Sequence, residues 1–415
     1  MRIIVQKFGG TSVATPEARE QVAARVMEAV NKGFSPVVVV SAMGRKGDPY
    51  ATDTLIQLVK GVNPETAPRD LDLLVSCGEV ISSVVLANTL QNRALEAVTL
   101  TGGQAGIITD LNFTEATIIR VEPDQVMRHL QEGKVVVVAG FQGITESGDI
   151  TTLGRGGSDT TAAALGAALK AEVVEIYTDV EGIKTADPRL VPNAQTLPMI
   201  TYDEICQLAH QGAKVIHPRA VEIAMRRNVP IRIRCTFTDD PGTLIAHTVE
   251  TQAGWANVAN GRVVTGVTQI PGVAQVEVVS GTLPPDDPTE LRIFRALADG
   301  GISVDMITVL PERKIFIVKE EVVGKAARIL EPFNLKVRIT SGCAKVSVVG
   351  SGMRGVPGVM ARVVEALYRN GIRILQTTDS HTTISCLVKQ EDMGEAVRAL
   401  HEAFDLGGPR EGLSS

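Results

Sequence analysis

Three short runs of apolar, mostly β-branched residues limit what this chain can become: Pro36–Ser41 (PVVVVS), Lys134–Ala139 (KVVVVA) and Val173–Thr178 (VVEIYT). Runs that are apolar without alternation belong to strands buried on both faces, which requires helices on either side of a parallel sheet. Arg2–Phe8 (RIIVQKF) reads the same way, and Pro230–Cys235 (PIRIRC) adds a further strand. Helices are expected from Pro16, a favoured first helical residue, to about Lys32, then over Leu71–Asn92, Tyr202–Gln211 and most of Ala213–Arg227. Repetition of strand, polar loop and helix over about 240 residues predicts an α/β fold with a mostly parallel central sheet. Aromatic residues are only 3% against 44% hydrophobic, so the cores must be built from Val, Ile, Leu and Ala.

In such sheets ligands gather beyond the carboxyl ends of the strands. Those ends are Gly9-Gly10-Thr11-Ser12, Ala42–Thr52, Thr101–Gly106, Gly140-Phe141-Gln142-Gly143 and Lys184–Arg189 (KTADPR). The most suggestive stretch is Thr151–Ala171, TTLGRGGSDTTAAALGAALKA, a glycine-rich loop that opens a helix. Glycines let backbone N–H groups approach an anion, and the helix dipole favours negative charge there. Arg155 in that loop suits a carboxylate or phosphate, and Asp159 adds a group for polar chemistry. Lys7, at the end of the first strand, can neutralise a phosphate whose charge rises during transfer. No GxxxxGK[ST] and no GxGxxG opening the first helix occur, so a nucleotide would be held in another architecture.

Net charge is −6, from 41 basic and 47 acidic residues, with no long basic run; nucleic acid and anionic membrane are poor partners. The cysteines Cys77, Cys206, Cys235, Cys343 and Cys386 are scattered and form no CxxC, which argues against disulfides or structural zinc. Residues 1–8 lack a signal-peptide pattern, and no apolar run reads as long enough to span a bilayer. A soluble, cytoplasmic protein is expected. His217 reads as packed or capping, Cys77 as a buried small residue, and Asp286-Asp287 as solvated in a Pro-rich turn. His210, His381 and His401 lie too far apart to suggest a metal site.

The pattern breaks around Asp239–Arg262, which holds the lone Trp255. Beyond it the chain repeats itself 70 residues later without a gap. Val276-Glu277-Val278-Val279 aligns with Val346-Ser347-Val348-Val349, Gly301-Ile302 with Gly371-Ile372, and Val318-Lys319 with Val388-Lys389. Each copy reads strand, helix, strand, strand, helix, with a further strand where the next begins: a small split-βαβ sandwich.

Together KFGGTS at Lys7–Ser12, VVVVSAMG at Val37–Gly44 and TTLGRGGSDTTA at Thr151–Ala162 resemble the signatures of aspartate kinases. EIYTDVEGIKTADPR at Glu175–Arg189 and QGAKVIHPRAVE at Gln211–Glu222 do so too. The resemblance covers essentially the whole chain, and SAMGRKGDPYATD at Ser41–Asp53 and LQTTDSHTTISCLV at Leu375–Val388 look closest to the diaminopimelate-sensitive type of Bacillus-like bacteria. It implies a three-layer αβα amino-acid-kinase fold over 1–240, a linker over 241–264, and two ferredoxin-like ACT domains over 265–340 and 341–408.

The implied reaction is transfer of the ATP γ-phosphoryl group to the β-carboxylate of L-aspartate, with Mg2+ on the phosphates. By the same resemblance Lys7 and Asp159 are catalytic. Thr52, Glu79, Arg155, Gly156 and Ser158 face aspartate, with Arg155 on its α-carboxylate and Glu79 on its ammonium. Lys7, Phe8, Gly9, Gly10, Ser41, Thr178, Asp179, Lys184, Asp187, Arg189 and Lys214 line the ATP side. No protein metal ligand is implied. ACT domains pair between chains, so a homo-oligomer is expected. An amino acid (lysine, threonine or diaminopimelate) would bind near Ser303, Val304 and Asp305 or Thr377, Thr378, Asp379 and Ser380. The first copy has Gly281–Pro288 where many relatives have Asp-x-Pro-Gly, whereas the second keeps Val356-Pro357-Gly358-Val359. A glutamate, acetylglutamate or uridylate kinase is the competing enzymatic reading. A non-catalytic amino-acid sensor is the competing non-enzymatic one, and it would be expected to have lost Lys7, Arg155 or Asp159.

Overall fold

The structure is a computed structural model of the 415-residue chain and describes residues 1–213, 215–247, 263–281, 287–353 and 355–407. Lys214, Trp255, Asp286 and most of the expected linker lie outside the described residues. Two compact units emerge. The first comprises Met1–Ile183, Thr196–Ala209 and Lys214–Val258; the second comprises Lys184–Gln195, His210–Ala213 and Ala259–Ser415.

In the first unit the strands are β1 (Arg2–Phe8), β2 (Phe34–Val40), β3 (Ala97–Leu100), β4 (Ile107–Thr109), β5 (Ile118–Val121), β6 (Val135–Ala139), β7 (Gln142–Ile144), β8 (Ile150–Thr152), β9 (Val173–Thr178), β10 (Met199–Thr201), β11 (Ile231–Cys235) and β12 (Thr243–Ala246). Eight of them form one sheet in the order β10-β12-β11-β9-β1-β2-β6-β3. It is parallel except where β12 turns back antiparallel on β11. The valines of β2 and β6 are fully buried, as strands covered on both faces must be. β12 extends this sheet past residue 240, where the sequence suggested a linker. A second sheet, β5-β4-β7-β8, went unrecognised because its strands are only three or four residues long.

The helix Pro68–Gln91 is long and apolar enough to cross a membrane by length and composition, contrary to the sequence expectation. Its apolar window is half buried, and Asp72 and Glu79 sit on its buried face, which marks it as a core helix of this unit. The helix Thr52–Val62 begins at the last residue of the expected loop Ala42–Thr52 and fills a stretch to which the sequence assigned no element, and the helix before β11 is shorter than expected, Pro218–Arg227. Pro218 fixes its first turn, and His217 caps it by accepting the Arg219 N–H at Nδ1.

The second unit contains β13 (Gly266–Val279), β14 (Asp305–Leu310), β15 (Arg313–Lys319), β16 (Lys336–Val349), β17 (Gln376–Asp379) and β18 (Thr383–Lys389), ordered β14-β15-β13-β16-β18-β17. The repeat is visible as two βαββα runs, but the boundary between them is not at 340. β13 and β16 are both long and pass through both copies. The second half of β13 pairs with β15 and the first half of β16, whereas its first half, Gly266–Pro271, pairs with Ala344–Val349 beside β18. Each copy thus has the ferredoxin-like strand order, and the second takes its fourth strand from ahead of the first. The first copy is inserted in the second. Gly272 and Gly342, both with positive φ, mark the crossover, where a left-handed residue lets the strand change partners.

The segment Lys184–Gln195 also belongs to this unit rather than to a kinase domain ending at 240. Ala186, Val191 and Ala194 join the core of the second copy with Val267, Val346, Val363 and Leu400. The Val267 N–H donates to the Thr185 carbonyl at 2.8 Å, and the buried His401 Nε2 lies 2.9 Å from Thr185 Oγ1.

Candidate active site

At the carboxyl end of the parallel strands the first unit encloses a cavity of about 640 Å³. Its lining includes Lys7, Ser41, Thr52, Glu79, Arg155, Gly156, Ser158 and Asp159. These come from a strand end, three helices and two loops, so only the fold brings them together.

Lys7 is carried by β1 between Val39 of β2 and Ile176 of β9, and its Nζ lies 2.7 Å from Asp159 Oδ1. Both side chains are 13% exposed. The contact is an ion pair rather than an aligned hydrogen bond: that oxygen has no partner of good angle. The lysine charge is therefore held in place without being fully satisfied. Ser41 donates to Ser158 Oγ at 3.0 Å, which joins the end of β2 to the first turn of the helix Gly157–Leu169. Ser41 thus lines the same cavity as Arg155.

Glu79 is only 2% exposed. Its Oε1 accepts the Ala42 N–H at 3.0 Å, while Oε2 has no hydrogen-bond partner among the described residues. Burial pushes its carboxyl up to about 8, against the pull of the Ala42 N–H. Beside it Gly78 admits the Ala42–Tyr50 loop: a Cβ there would lie 2.9 Å from both Ala42 Cβ and the Tyr50 carbonyl. Cys77, one residue earlier, is exposed, not buried.

Arg155 is exposed and makes no hydrogen bond or ion pair with the described residues. Its loop is shaped by Gly154 and Gly156, at φ +70° and +69°. A Cβ on Gly156 would come within 2.3 Å of His217, so the loop lies flat on the cap of the helix Pro218–Arg227. Gly156→Ala is expected to cost at least about 1–2 kcal/mol for the left-handed backbone alone. A melting temperature lowered by a few degrees, together with weaker aspartate binding, would register it; an unchanged melt would show that the loop relaxes freely.

Around the ends of β1, β9 and β11, the Gly9 N–H donates to the Tyr177 carbonyl at 3.3 Å, and Ser12 Oγ lies 2.7 Å from Thr236 Oγ1. Thr178 Oγ1 donates to Asp179 Oδ1, and Arg45 pairs with Asp179 at 2.8 Å on the surface. Phe8 is fully buried and stacks on Tyr177. Gly10 allows the loop after β2 to close over it, since a Cβ there would meet the Ala42 and Gly44 carbonyls at 2.7 Å. Lys184, Asp187 and Arg189 are not among these residues: they belong to the second unit, where Arg189 pairs with Asp187 and lowers its carboxyl. Lys214 lies outside the described residues. Asp72, Thr114 and Glu115 line the cavity without a signal in the sequence, whereas Phe141 and Thr152 lie in stretches that the sequence marked. Thr114 and Phe141 hold positive φ, which no sequence pattern signals. Among the described residues no group of three His, Cys, Asp or Glu could hold a metal ion.

In the second unit Asp305, at the start of β14, accepts from the buried Lys345 at 2.5 Å. Thr377, Thr378 and Asp379 lie on β17, and Ser380 closes its turn to Thr383. Gln376 bridges from β17 to the Met306 carbonyl and Thr308 of β14, so the two regions read as effector-binding are joined along these strands. Lys345 and Gln376 were not anticipated.

Comparison with known proteins fits this geometry. The Amino acid kinase family model matches residues 2–235 and an ACT domain model matches residues 338–402. Aspartokinase 1 of Bacillus subtilis is 50% identical over 406 residues, covering 98% of this chain and 100% of that protein. Two solved structures of E. coli aspartokinase III are each 26% identical and cover 97% of this chain. One, in complex with aspartate and ADP, has a TM-score of 0.77 and is covered over 100% of its length. The other, in complex with lysine and aspartate, has a TM-score of 0.76 and is covered over 99%. A family match over more than half the chain and 50% identity along nearly all of it lead to one conclusion: the chain belongs to the aspartokinases of the amino acid kinase family.

Proposed function

We propose that the protein transfers the γ-phosphoryl group of ATP to the β-carboxylate of L-aspartate, giving 4-phospho-L-aspartate and ADP. One observation carries the reading. A single cavity presents a guanidinium and a buried carboxyl oxygen that both lack a partner among the described residues, and a lysine at a strand end, complementary to the α-carboxylate, the ammonium and the reacting end of aspartate. Arg155 binds the α-carboxylate with its planar fork, and Glu79 Oε2 receives the ammonium. The β-carboxylate is already a nucleophile at neutral pH, so no base is required. Catalysis rests on positioning and on charge stabilisation by Lys7, which Asp159 holds toward the phosphoryl in flight. Gly9, Gly10, Thr178 and Asp179 form the nucleotide side. Bound with ATP, Mg2+ would supply charge neutralisation for the phosphates, and no set of described His, Cys, Asp or Glu residues is needed to hold it. ADP release measured in parallel with aspartate, glutamate and uridylate tests the reading; turnover of either alternative in place of aspartate would overturn it.

The state of Glu79 gives a pH dependence. With its carboxyl near 8, the folded protein keeps a proton that the unfolded chain has released above about 4.5. Glu79 therefore favours the folded state fully only below about 4.5, and this contribution is lost as pH rises through about 8. An ammonium at Oε2 requires the carboxylate, so aspartate binding at pH 7 expels the proton. The KM for aspartate should fall as pH rises from 6 to 8, and calorimetry in buffers of different ionisation enthalpy should show proton release. Glu79→Gln should abolish that release and raise the KM; persistence of proton release would remove Glu79 from the ammonium site.

An end-product amino acid binding near the meeting of β14 and β17 would bias the enzyme toward a poorly active state. A coupling of about 1–3 kcal/mol suffices for 5–150-fold inhibition. Assays with lysine, threonine and diaminopimelate decide which is recognised, and indifference to all three would overturn this regulation.

A further inference from the structure

The geometry points to Asp72 as the residue that positions Arg155. Asp72 precedes Glu79 by two turns on the same face of the helix Pro68–Gln91, and both line the cavity with Val75 between them. Unlike Glu79, it has its acceptor capacity spent inside the protein. It is 0% exposed, and its Oδ2 accepts the Thr114 N–H at 2.9 Å and the Thr152 N–H at 2.8 Å. Its Oδ1 accepts from Thr152 Oγ1 at 2.7 Å.

Those three bonds tie one carboxylate to two separate loops. Thr114 sits in a left-handed conformation, φ +73°, that a threonine adopts only when its surroundings impose it. Thr152 ends β8, three residues before Arg155. The two loops are also joined directly, the Ala116 N–H donating to the Thr152 carbonyl at 2.9 Å. A Cβ on Gly154 would lie 3.3 Å from the Thr114 carbonyl, so the Arg155 loop rests on the tied segment. Since the guanidinium has no partner of its own among the described residues, its place is set by the loop backbone. This tie holds that backbone from one side, while on the other the Leu153 N–H donates to the Phe141 carbonyl and Arg219 donates to the Leu153 carbonyl. Asp72 thus fixes Arg155 relative to Glu79, the two groups that must meet the α-carboxylate and the ammonium of one aspartate. It touches neither substrate nor reacting atoms, and it is a positioning residue. The inference rests on the reading of Arg155 as the aspartate clamp.

Steady-state kinetics of the full chain test it. Asp72→Ala should raise the KM for aspartate at least about tenfold while that for ATP stays within about twofold, since misplacing a binding group by an ångström is costly. Asp72→Asn keeps one oxygen for the two N–H donors and can donate its amide to Thr152 Oγ1, so it should stay within about threefold of the parent. In the Arg155→Ala background Asp72→Ala should add nothing further. Amide exchange at Thr114 and Thr152–Arg155 should accelerate in Asp72→Ala without substrate. Where Asp72→Ala does not fold, Thr152→Val, which deletes one of the three bonds, should still raise the aspartate KM at least about threefold. An unchanged aspartate KM in these variants, full additivity with Arg155→Ala, or an Asn variant as impaired as the Ala variant would overturn the inference alone. An unchanged aspartate KM in Arg155→Ala itself would overturn the underlying reading of the clamp.

Discussion

Replacing Lys7 by alanine lowers kcat by at least about 10²-fold, the scale for deleting one preorganised transition-state donor. The argument is geometric. Lys7 is fixed by strand pairing on both sides, its charge is 13% exposed, and Asp159 holds it at 2.7 Å in an ion pair that leaves the carboxylate oxygen without an aligned donor. A charge preplaced in this way costs little reorganisation when the phosphoryl group moves. Alanine removes it and leaves Asp159 as an uncompensated negative charge beside an anionic reaction, so the loss should exceed that of one hydrogen bond. Single-turnover measurements with saturating aspartate and ATP isolate the chemical step. Near-parental rates in Lys7→Ala would take Lys7 out of the mechanism.

Arg155→Ala raises the KM for aspartate by about 10- to 150-fold, corresponding to the 1.5–3 kcal/mol of a hydrogen bond to a charged group. Because the guanidinium makes no ion pair or hydrogen bond within the described protein, the change disturbs no internal network, and the melting temperature should hold. Lysine is a poor substitute, since a point charge cannot reproduce a bidentate fork. Arg155→Lys should therefore recover only part of the loss. Equal KM values for all three forms would refute the clamp.

The parts of the site legible in the sequence are those carried by local pattern. β-branched runs mark strands wherever the chain is buried, so β1, β2, β6 and β9 could be located within a residue or two, and with them Lys7 and Thr178 at their ends, whereas the Arg155 loop is marked by its glycines and not by the short β8 before it. The helix Thr52–Val62 carries apolar Leu55, Ile56 and Val59 at helical spacing, but none of its residues is fully buried and Gly61 interrupts its last turn, so the signal is weak beside the polar loop it follows. Asp72 gave no signal: an aspartate inside an apolar helix looks like a solvated residue until the fold supplies the Thr114 and Thr152 N–H groups. The same applies to the left-handed Thr114 and Phe141, whose conformations are imposed by tertiary contacts. Lys184, Asp187 and Arg189 are contiguous with the kinase strands in sequence, yet apolar neighbours Ala186, Val191 and Ala194 draw their segment into the second unit's core.

The strand exchange at Gly272 and Gly342 also sets the order in which the C-terminal half can be completed. Residues 266–271 emerge early during synthesis, but their partner Ala344–Val349 follows only after the whole inserted copy has been made. Until then they present an open sheet edge, with no partner on that side. The inserted copy, by contrast, has all four strands once residue 340 is reached. A fragment beginning at Ser341 would hold the contiguous remainder of the second copy and still lack its fourth strand. Cutting this chain where its repeat appears to divide would separate one finished module from one that cannot be finished.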